Sequence, residues 1–149
     1  MSKKNKKSYV VCVDFDGTCL THSYPNIGTD IGAAKVLKLL IANGHKLILW
    51  TMRCDAQPHV TLEDGYQIHG GDFLTQAVNW FKDNDIELYG IQRNPTQDIW
   101  TSSPKCYADY FIDDAALGTP LLYDEELSDR PFVDWVAIEN ILREKKLIK

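Results

Sequence analysis

The sequence predicts an α/β fold: an open parallel sheet in spatial order 3-2-1-4 with helices on both faces. Three observations predict it. Short apolar runs rich in β-branched residues recur along the chain. Stretches with apolar residues at helical spacing alternate with them. Polar and acidic residues follow the apolar runs directly, as they do where strands of a parallel sheet end. A right-handed crossover from each strand to the next is the well-populated connection.

The elements follow in turn. Residues 9–14 (YVVCVD) read as a buried strand. Residues 15–28, with Gly17, Pro25, Asn26 and Gly28, read as a loop or small hairpin. Residues 30–42 place Ile31, Ala34, Leu37 and Ile41 on one helical face, with Thr29 or Asp30 as cap and Asn43-Gly44 as the end. Residues 46–51 form the second strand. Residues 55–71 hold Pro58, Gly65, Gly70 and Gly71 and read as irregular. Residues 72–83 form a helix capped by Asp72, 86–91 the third strand, and 109–113 the fourth. Residues 132–145 form a C-terminal helix with Pro131 in its first turn. No linker rich in Gly, Ser or Pro divides the chain. The reading is one domain over 9–149 behind a basic, disordered tail over 1–8.

Composition narrows the function classes. The chain has 149 residues, 44% hydrophobic and 25% charged, which excludes a disordered or fibrous protein. Its net charge of −5 includes Lys3, Lys4, Lys6 and Lys7, so the rest is more acidic still. Such a surface disfavours nucleic acid and suits a protein that holds a divalent cation. The longest unbroken apolar run is Tyr9 to Val13, far short of the ~20 residues of a membrane span. That run is also too short for a secretory leader, so a cytoplasmic location is expected. Cys12, Cys19, Cys54 and Cys106 form no C-x-x-C pair and read as free thiols, with no zinc site.

In an open parallel sheet, ligands bind beyond the carboxyl ends of the strands. The first strand ends in Asp14-Phe15-Asp16-Gly17-Thr18, the second in Thr51, and the fourth in Asp113-Asp114, with Lys105 shortly before it. Carboxylates crowded at one sheet edge repel one another unless a cation compensates them. Mg²⁺ is the hard, oxygen-seeking cation that suits them and keeps waters for a phosphate. The set then fits phosphoryl transfer through a carboxylate. One Asp attacks phosphorus, and a second protonates the leaving oxygen and later activates water. A hydroxyl and an ammonium hold the phosphoryl oxygens. Gly17 allows a sharp turn close to the phosphate. Gly17, Thr18, Thr51, Arg53 and Lys105 are the phosphate-binding candidates; Arg53 or Lys46 is the substitute if Lys105 lies elsewhere.

These motifs, in the order D-x-D-G-T, T, K, D-D over roughly residues 9–116, resemble those of the haloacid dehalogenase (HAD) superfamily. Tyr24-Pro25, Ile27-Gly28, Leu47-Ile48-Leu49-Trp50 and Ala108-Asp109 are similar to small bacterial and phage hydrolases of that superfamily. The resemblance implies a Rossmann-like, HAD-like fold, with Asp14 as nucleophile and Asp16 as general acid/base. It also implies Mg²⁺ held by Asp14, the backbone carbonyl of Asp16, Asp113 and Asp114. An Asp two places after the nucleophile resembles the phosphatase and phosphomutase branches, because dehalogenases lack it and ion-pumping ATPases carry Thr. Both usual cap insertion points are nearly empty, so no large cap is expected. The site would be open to a large phosphorylated substrate, or a neighbouring subunit of a homo-oligomer would cover it. The expected activity is Mg²⁺-dependent hydrolysis of a phosphomonoester.

Other residues invite other readings. His59, Glu63 and His69 fit no helical metal pattern. His22, in the loop after the first motif, is a candidate to face the open site, and Tyr24 and Tyr66 are candidates for substrate contact. The long 55–71 segment leaves the sheet at the phosphate-binding edge and is expected either to form a partial lid or to be a plain surface insertion. A receiver-like phosphoacceptor domain is an alternative, although its acidic pair comes first and its lysine last. A non-catalytic phosphate-binding module is a third reading.

Overall fold

The computed structural model describes residues 6–149. The strands are β1 (Val10–Val13), β2 (Lys46–Leu49), β3 (Val60–Thr61), β4 (Gln67–Ile68), β5 (Gly90–Ile91), β6 (Tyr110–Ile112), β7 (Leu121–Leu122) and β8 (Phe132–Val133). The helices are α1 (Ala33–Ala42), α2 (Phe73–Asp83) and α3 (Trp135–Glu144), with a short 3₁₀ helix over Gln97–Ile99. Four strands form a parallel sheet in the order β5-β2-β1-β6, the expected 3-2-1-4 arrangement. The protein thus has an open, Rossmann-like α/β fold. No helix among the described residues is long and apolar enough to cross a membrane.

The register sets up the site. Val13 pairs with Leu49 on one side and Ile112 on the other. The next residues, Asp14 and Asp113, therefore emerge side by side at the carboxyl edge, with the Asp14 N–H donating to the Ile112 carbonyl at 3.0 Å.

The two sheet faces are covered unequally. Val11, Val13, Leu47 and Leu49 share one buried core with residues of all three α-helices, including Leu37, Phe81 and Trp135. Cys12 and Ile48 point the other way, where Cys106, Ala108 and Tyr89 cover them. The crossover from β5 to β6 runs over this second face as a loop with only the 3₁₀ turn. Pro95 and Pro104 in this crossover, with no apolar repeat, explain why no α-helix forms there. Gln97 holds that loop together, donating to the Lys105 carbonyl at 2.7 Å and accepting from the Tyr107 N–H at 2.9 Å.

Several element boundaries need correction. The third strand is Gly90–Ile91, not 86–91, because Ile86 turns in beneath α2 and its N–H bonds the Phe81 carbonyl at 2.9 Å. Helix α1 starts at Ala33 behind Gly32, whose φ of 93° breaks the helix that Thr29 or Asp30 would have capped. At α2 the cap comes from outside: Asp55 accepts from the Thr75 N–H at 2.8 Å, while Asp72 accepts from the Ala56 N–H. The C-terminal helix starts at Trp135, capped by Asp134 through the Ala137 N–H. Phe132 and Val133, expected in that helix, instead pair with β7, so Pro131 precedes a strand. The 55–71 segment is not irregular but closes as a hairpin, β3 against β4, clamped at its base by the Gln57–Gly71 bridge. Residues 1–5 of the expected tail lie outside the described residues. Lys6 and Ser8 bond to Asn43 and the Gly44 carbonyl.

Candidate active site

Asp14, Asp113 and Asp114 converge at the carboxyl edge, each offering a carboxylate oxygen within 4.8 Å of the others. The Thr18 hydroxyl donates to Asp14 Oδ2 at 2.8 Å and accepts from the Asp114 N–H at 3.0 Å. One turn thus links the loop after β1 to the loop after β6. His22 Nε2 lies 2.8 Å from Asp114 Oδ2.

Asp16 is placed differently from its neighbour two residues back. Arg53 grips it with two bonds, Nε to Oδ2 at 2.8 Å and Nη2 to Oδ1 at 2.7 Å. The Arg53 side chain is only 1% exposed. Its remaining donors reach the Pro25, Asn26 and Phe73 carbonyls, and its plane lies against the Phe15 and Tyr24 rings. Arg53, expected among the phosphate-binding groups, has every N–H direction turned to the protein. Its role here is to fix Asp16 and to tie the Tyr24–Asn26 loop to α2.

Thr51 lines a cleft of about 420 Å³ with Asp14, Trp50, Met52, Gln92 and Asp113. Its hydroxyl accepts from the Arg53 N–H at 3.1 Å, which leaves the hydroxyl proton available to the cleft. Gln92 was not anticipated from the sequence. Its side-chain amide accepts from the Thr51 N–H at 2.8 Å and donates to the Thr51 carbonyl at 2.5 Å, as a neighbouring strand would. Gln92 itself has φ of 62°, the left-handed backbone that aims its side chain back at β2. The only hint in the sequence was a polar residue directly after the third apolar run.

Lys105 is not brought to this cleft. Its ammonium lies 5.9 Å from the Phe111 ring centre, in a separate groove with Trp100 and Tyr107. Lys46, the alternative cation, lies over Tyr89 near the start of β2. No ion pair among the described residues joins a Lys or Arg to Asp14 or Asp113. The hairpin contributes no lining residue to the cleft. Tyr66 is exposed, and His59 and His69 pack against each other at a tilt, ring centres 5.6 Å apart. Tyr24 packs edge-on against Phe73.

The uncompensated cluster has an electrostatic cost. Burial, together with the Asp113 charge and contact with Asp114, pushes the Asp14 carboxyl up to about 8, against the Thr18 bond that lowers it. Burial also raises Asp113. Asp114 is held low by its bonds to Asp14, His22 and Thr18, which outweigh its burial. Three oxygen donors from carboxylates, with no Lys or Arg among the described residues paired to them, are the donor set that Mg²⁺ takes. The residues present therefore fit that ion.

A pH dependence follows for the metal-free protein. In the unfolded chain Asp14 loses its proton near 3.8; in the folded chain it keeps it to about 8. The folded state binds more protons between these values, so stability is full below the lower value and is lost as pH rises through about 8. Asp113 acts in the same sense and Asp114 in the opposite one. Denaturation midpoints of the EDTA-treated protein should fall from pH 5 to pH 8.5, and Asp14→Asn should flatten that fall. Parallel pH profiles for the two proteins would contradict the assignment.

The C-terminal elements brace the loop that carries these groups. The Val133 N–H donates to the Gly17 carbonyl at 3.1 Å, and Trp135 Nε1 donates to the Thr18 carbonyl at 2.7 Å in a buried bond. Gly17 is needed twice over: its φ is 80°, and a Cβ there would lie 2.0 Å from His22 Nε2. Gly17→Ala should destabilise the fold by about 1–3 kcal/mol, measured by urea denaturation. A variant as stable as the parent would mean that the loop relaxes to relieve both the His22 contact and the left-handed backbone.

No family model and no curated protein matches the chain. A solved structure does, that of a conserved protein coded by a locus from Bacteroides thetaiotaomicron. The two are 30% identical over 93% of each chain, with a TM-score of 0.67. The chain belongs to the family of that conserved Bacteroides protein. The match covers nearly the whole of both chains.

Proposed function

We propose that the protein is a Mg²⁺-dependent phosphomonoester hydrolase of the HAD type, acting through an aspartyl phosphate on Asp14. The observation that carries this reading is the meeting of Asp14, Asp113 and Asp114 at the carboxyl edge of the parallel sheet, with no Lys or Arg among the described residues paired to them. Asp14, Asp113, Asp114 and the Asp16 backbone carbonyl would hold the ion. Bound there, Mg²⁺ supplies the positive charge that lets Asp14 ionise and that offsets charge on the phosphoryl oxygens.

The chain's own groups account for the remaining steps. Thr18 engages Asp14 Oδ2, which leaves Oδ1 to attack phosphorus as the ester O–P bond breaks. Thr51 offers its hydroxyl proton to a phosphoryl oxygen at the cleft wall. The alcohol leaves with a proton from Asp16. Water, deprotonated by the same carboxylate, then attacks the acyl phosphate and releases inorganic phosphate. Asp16 serves this role only when Arg53 frees one of its oxygens. Lys105 reaches the phosphate only by leaving the Phe111 ring.

The Arg53 grip on Asp16 also favours a second reading, a phosphoacceptor domain that forms the acyl phosphate but hydrolyses it slowly. Turnover of p-nitrophenyl phosphate by EDTA-treated protein, with and without added Mg²⁺, tests the first reading. Many turnovers restored by Mg²⁺ support the hydrolase. A single burst followed by a stable phosphoprotein supports the acceptor domain, and no reaction under either condition sinks both.

A further inference from the structure

We propose that His22 is a positioning residue that orients Asp114 for metal and, through Thr18, selects which oxygen of Asp14 is free to react. The proposal rests on the metal-dependent reading above. An ionised carboxylate only accepts hydrogen bonds, so the His22 ring must carry its proton on Nε2 where it meets Asp114 Oδ2 at 2.8 Å. Both side chains are 15% exposed, so the bond is shielded from water. With Oδ2 occupied, Asp114 keeps Oδ1 for a cation.

The effect continues past Asp114. The Asp114 N–H donates to Thr18 Oγ1, and that hydroxyl has one proton to give. It faces Asp14 Oδ2 at 2.8 Å and Asp114 Oδ1 at 3.3 Å, and the shorter bond takes it. His22 holds Asp114 in the rotation that keeps Oδ1 at the longer distance. The result is one direction of donation, His22 to Asp114, Asp114 to Thr18, and Thr18 to Asp14. It distinguishes the two oxygens of Asp14 before any substrate arrives.

The loop is built to deliver the ring. Gly17 leaves the space that the ring fills, since a Cβ there would meet Nε2 at 2.0 Å and Cε1 at 2.5 Å. Thr21 pins the following turn, its N–H donating to the Thr29 carbonyl at 3.0 Å and its hydroxyl accepting from the Thr29 N–H at 2.8 Å. Gly28 permits that closure, because a Cβ would meet the Thr21 carbonyl at 2.0 Å. Side chains that hold metal-binding carboxylates or imidazoles in place typically change metal affinity by ~10–100-fold when removed.

The test compares three variants by calorimetric titration with Mg²⁺ alone, in the absence of any phosphoester. His22→Phe keeps a ring in the Gly17 gap but has no donor, and it should weaken Mg²⁺ binding by ~10–100-fold. His22→Gln carries an N–H at about the reach of Nε2 and should stay within ~3-fold of the parent. His22→Asn is small enough to fold wherever Phe does not; its amide falls short of Asp114, so it should behave as His22→Phe. In an Asp114→Ala background, removing His22 should cost nothing further. Equal affinity in His22→Phe and the parent would overturn the proposal, as would equal losses in the Gln and Phe variants. Absence of Mg²⁺ binding by the parent would overturn the metal reading itself, which separates the two failures.

Discussion

Asp14→Asn is expected to remove turnover, by roughly 10⁴-fold or more, while the protein folds normally. An amide has no lone pair comparable to a carboxylate oxygen for attack on phosphorus. Its carbonyl still accepts the Thr18 proton, so the local hydrogen bond survives. Loss of the charge also relieves repulsion between Asp14 and Asp113, one of the causes of the raised Asp14 value. The metal-free variant should therefore be at least as stable as the parent at pH 8, where the parent is close to ionising this group. Activity, circular dichroism and thermal midpoints measured on one preparation check both halves. Parental turnover in Asp14→Asn would mean that another group attacks. A collapsed fold would mean that Asp14 is structural.

The largest effect on stability is expected at Arg53. Arg53→Ala strips Asp16 of both bonds and leaves three carbonyls without their donor. The Asp16 side chain is 18% exposed, so water replaces little of what is lost. Breaking a buried pair from one side costs about 3–5 kcal/mol, because the remaining charge is left uncompensated. Lys in its place would put one point charge where a planar fork makes two parallel bonds, and it should recover only part of the loss. Urea denaturation of the two variants measures this. An alanine variant within about 1 kcal/mol of the parent would show that the loop around Asp16 relaxes to expose it.

The sheet was legible because its strands are short, apolar and bounded. Val11, Val13, Leu47 and Leu49 alternate with residues of the smaller second cluster and enter the larger core, and crossover handedness limited how the strands could connect. The three carboxylates of the acidic cluster were legible for the same reason, since they directly follow strands whose register is fixed. What escaped the sequence depends on long-range partners. Asp72 has the right type and position to cap α2, yet Asp55 does so because the preceding loop closes on the helix start. Arg53 has the right charge for a phosphate, and nothing local indicates that Asp16 and three carbonyls surround it. Gln92 acts through a left-handed backbone that residues other than glycine adopt uncommonly, so nothing local signals it. Phe132 and Val133 continue the α3 apolar stripe in sequence, but β7 captures them as a strand.

The bond from Trp135 to the Thr18 carbonyl spans 117 residues, and the one from Asp114 to Thr18 spans 96. Contacts this distant along the chain close late, because the intervening loops must first be ordered. During synthesis from the amino end, the Asp14–Thr18 turn therefore leaves the ribosome long before either of its braces exists. Until then the nascent chain carries a first motif with no cluster around it and no fixed Thr18. The acidic cluster and both braces of Thr18 are together only once α3 docks, after most of the chain has been made.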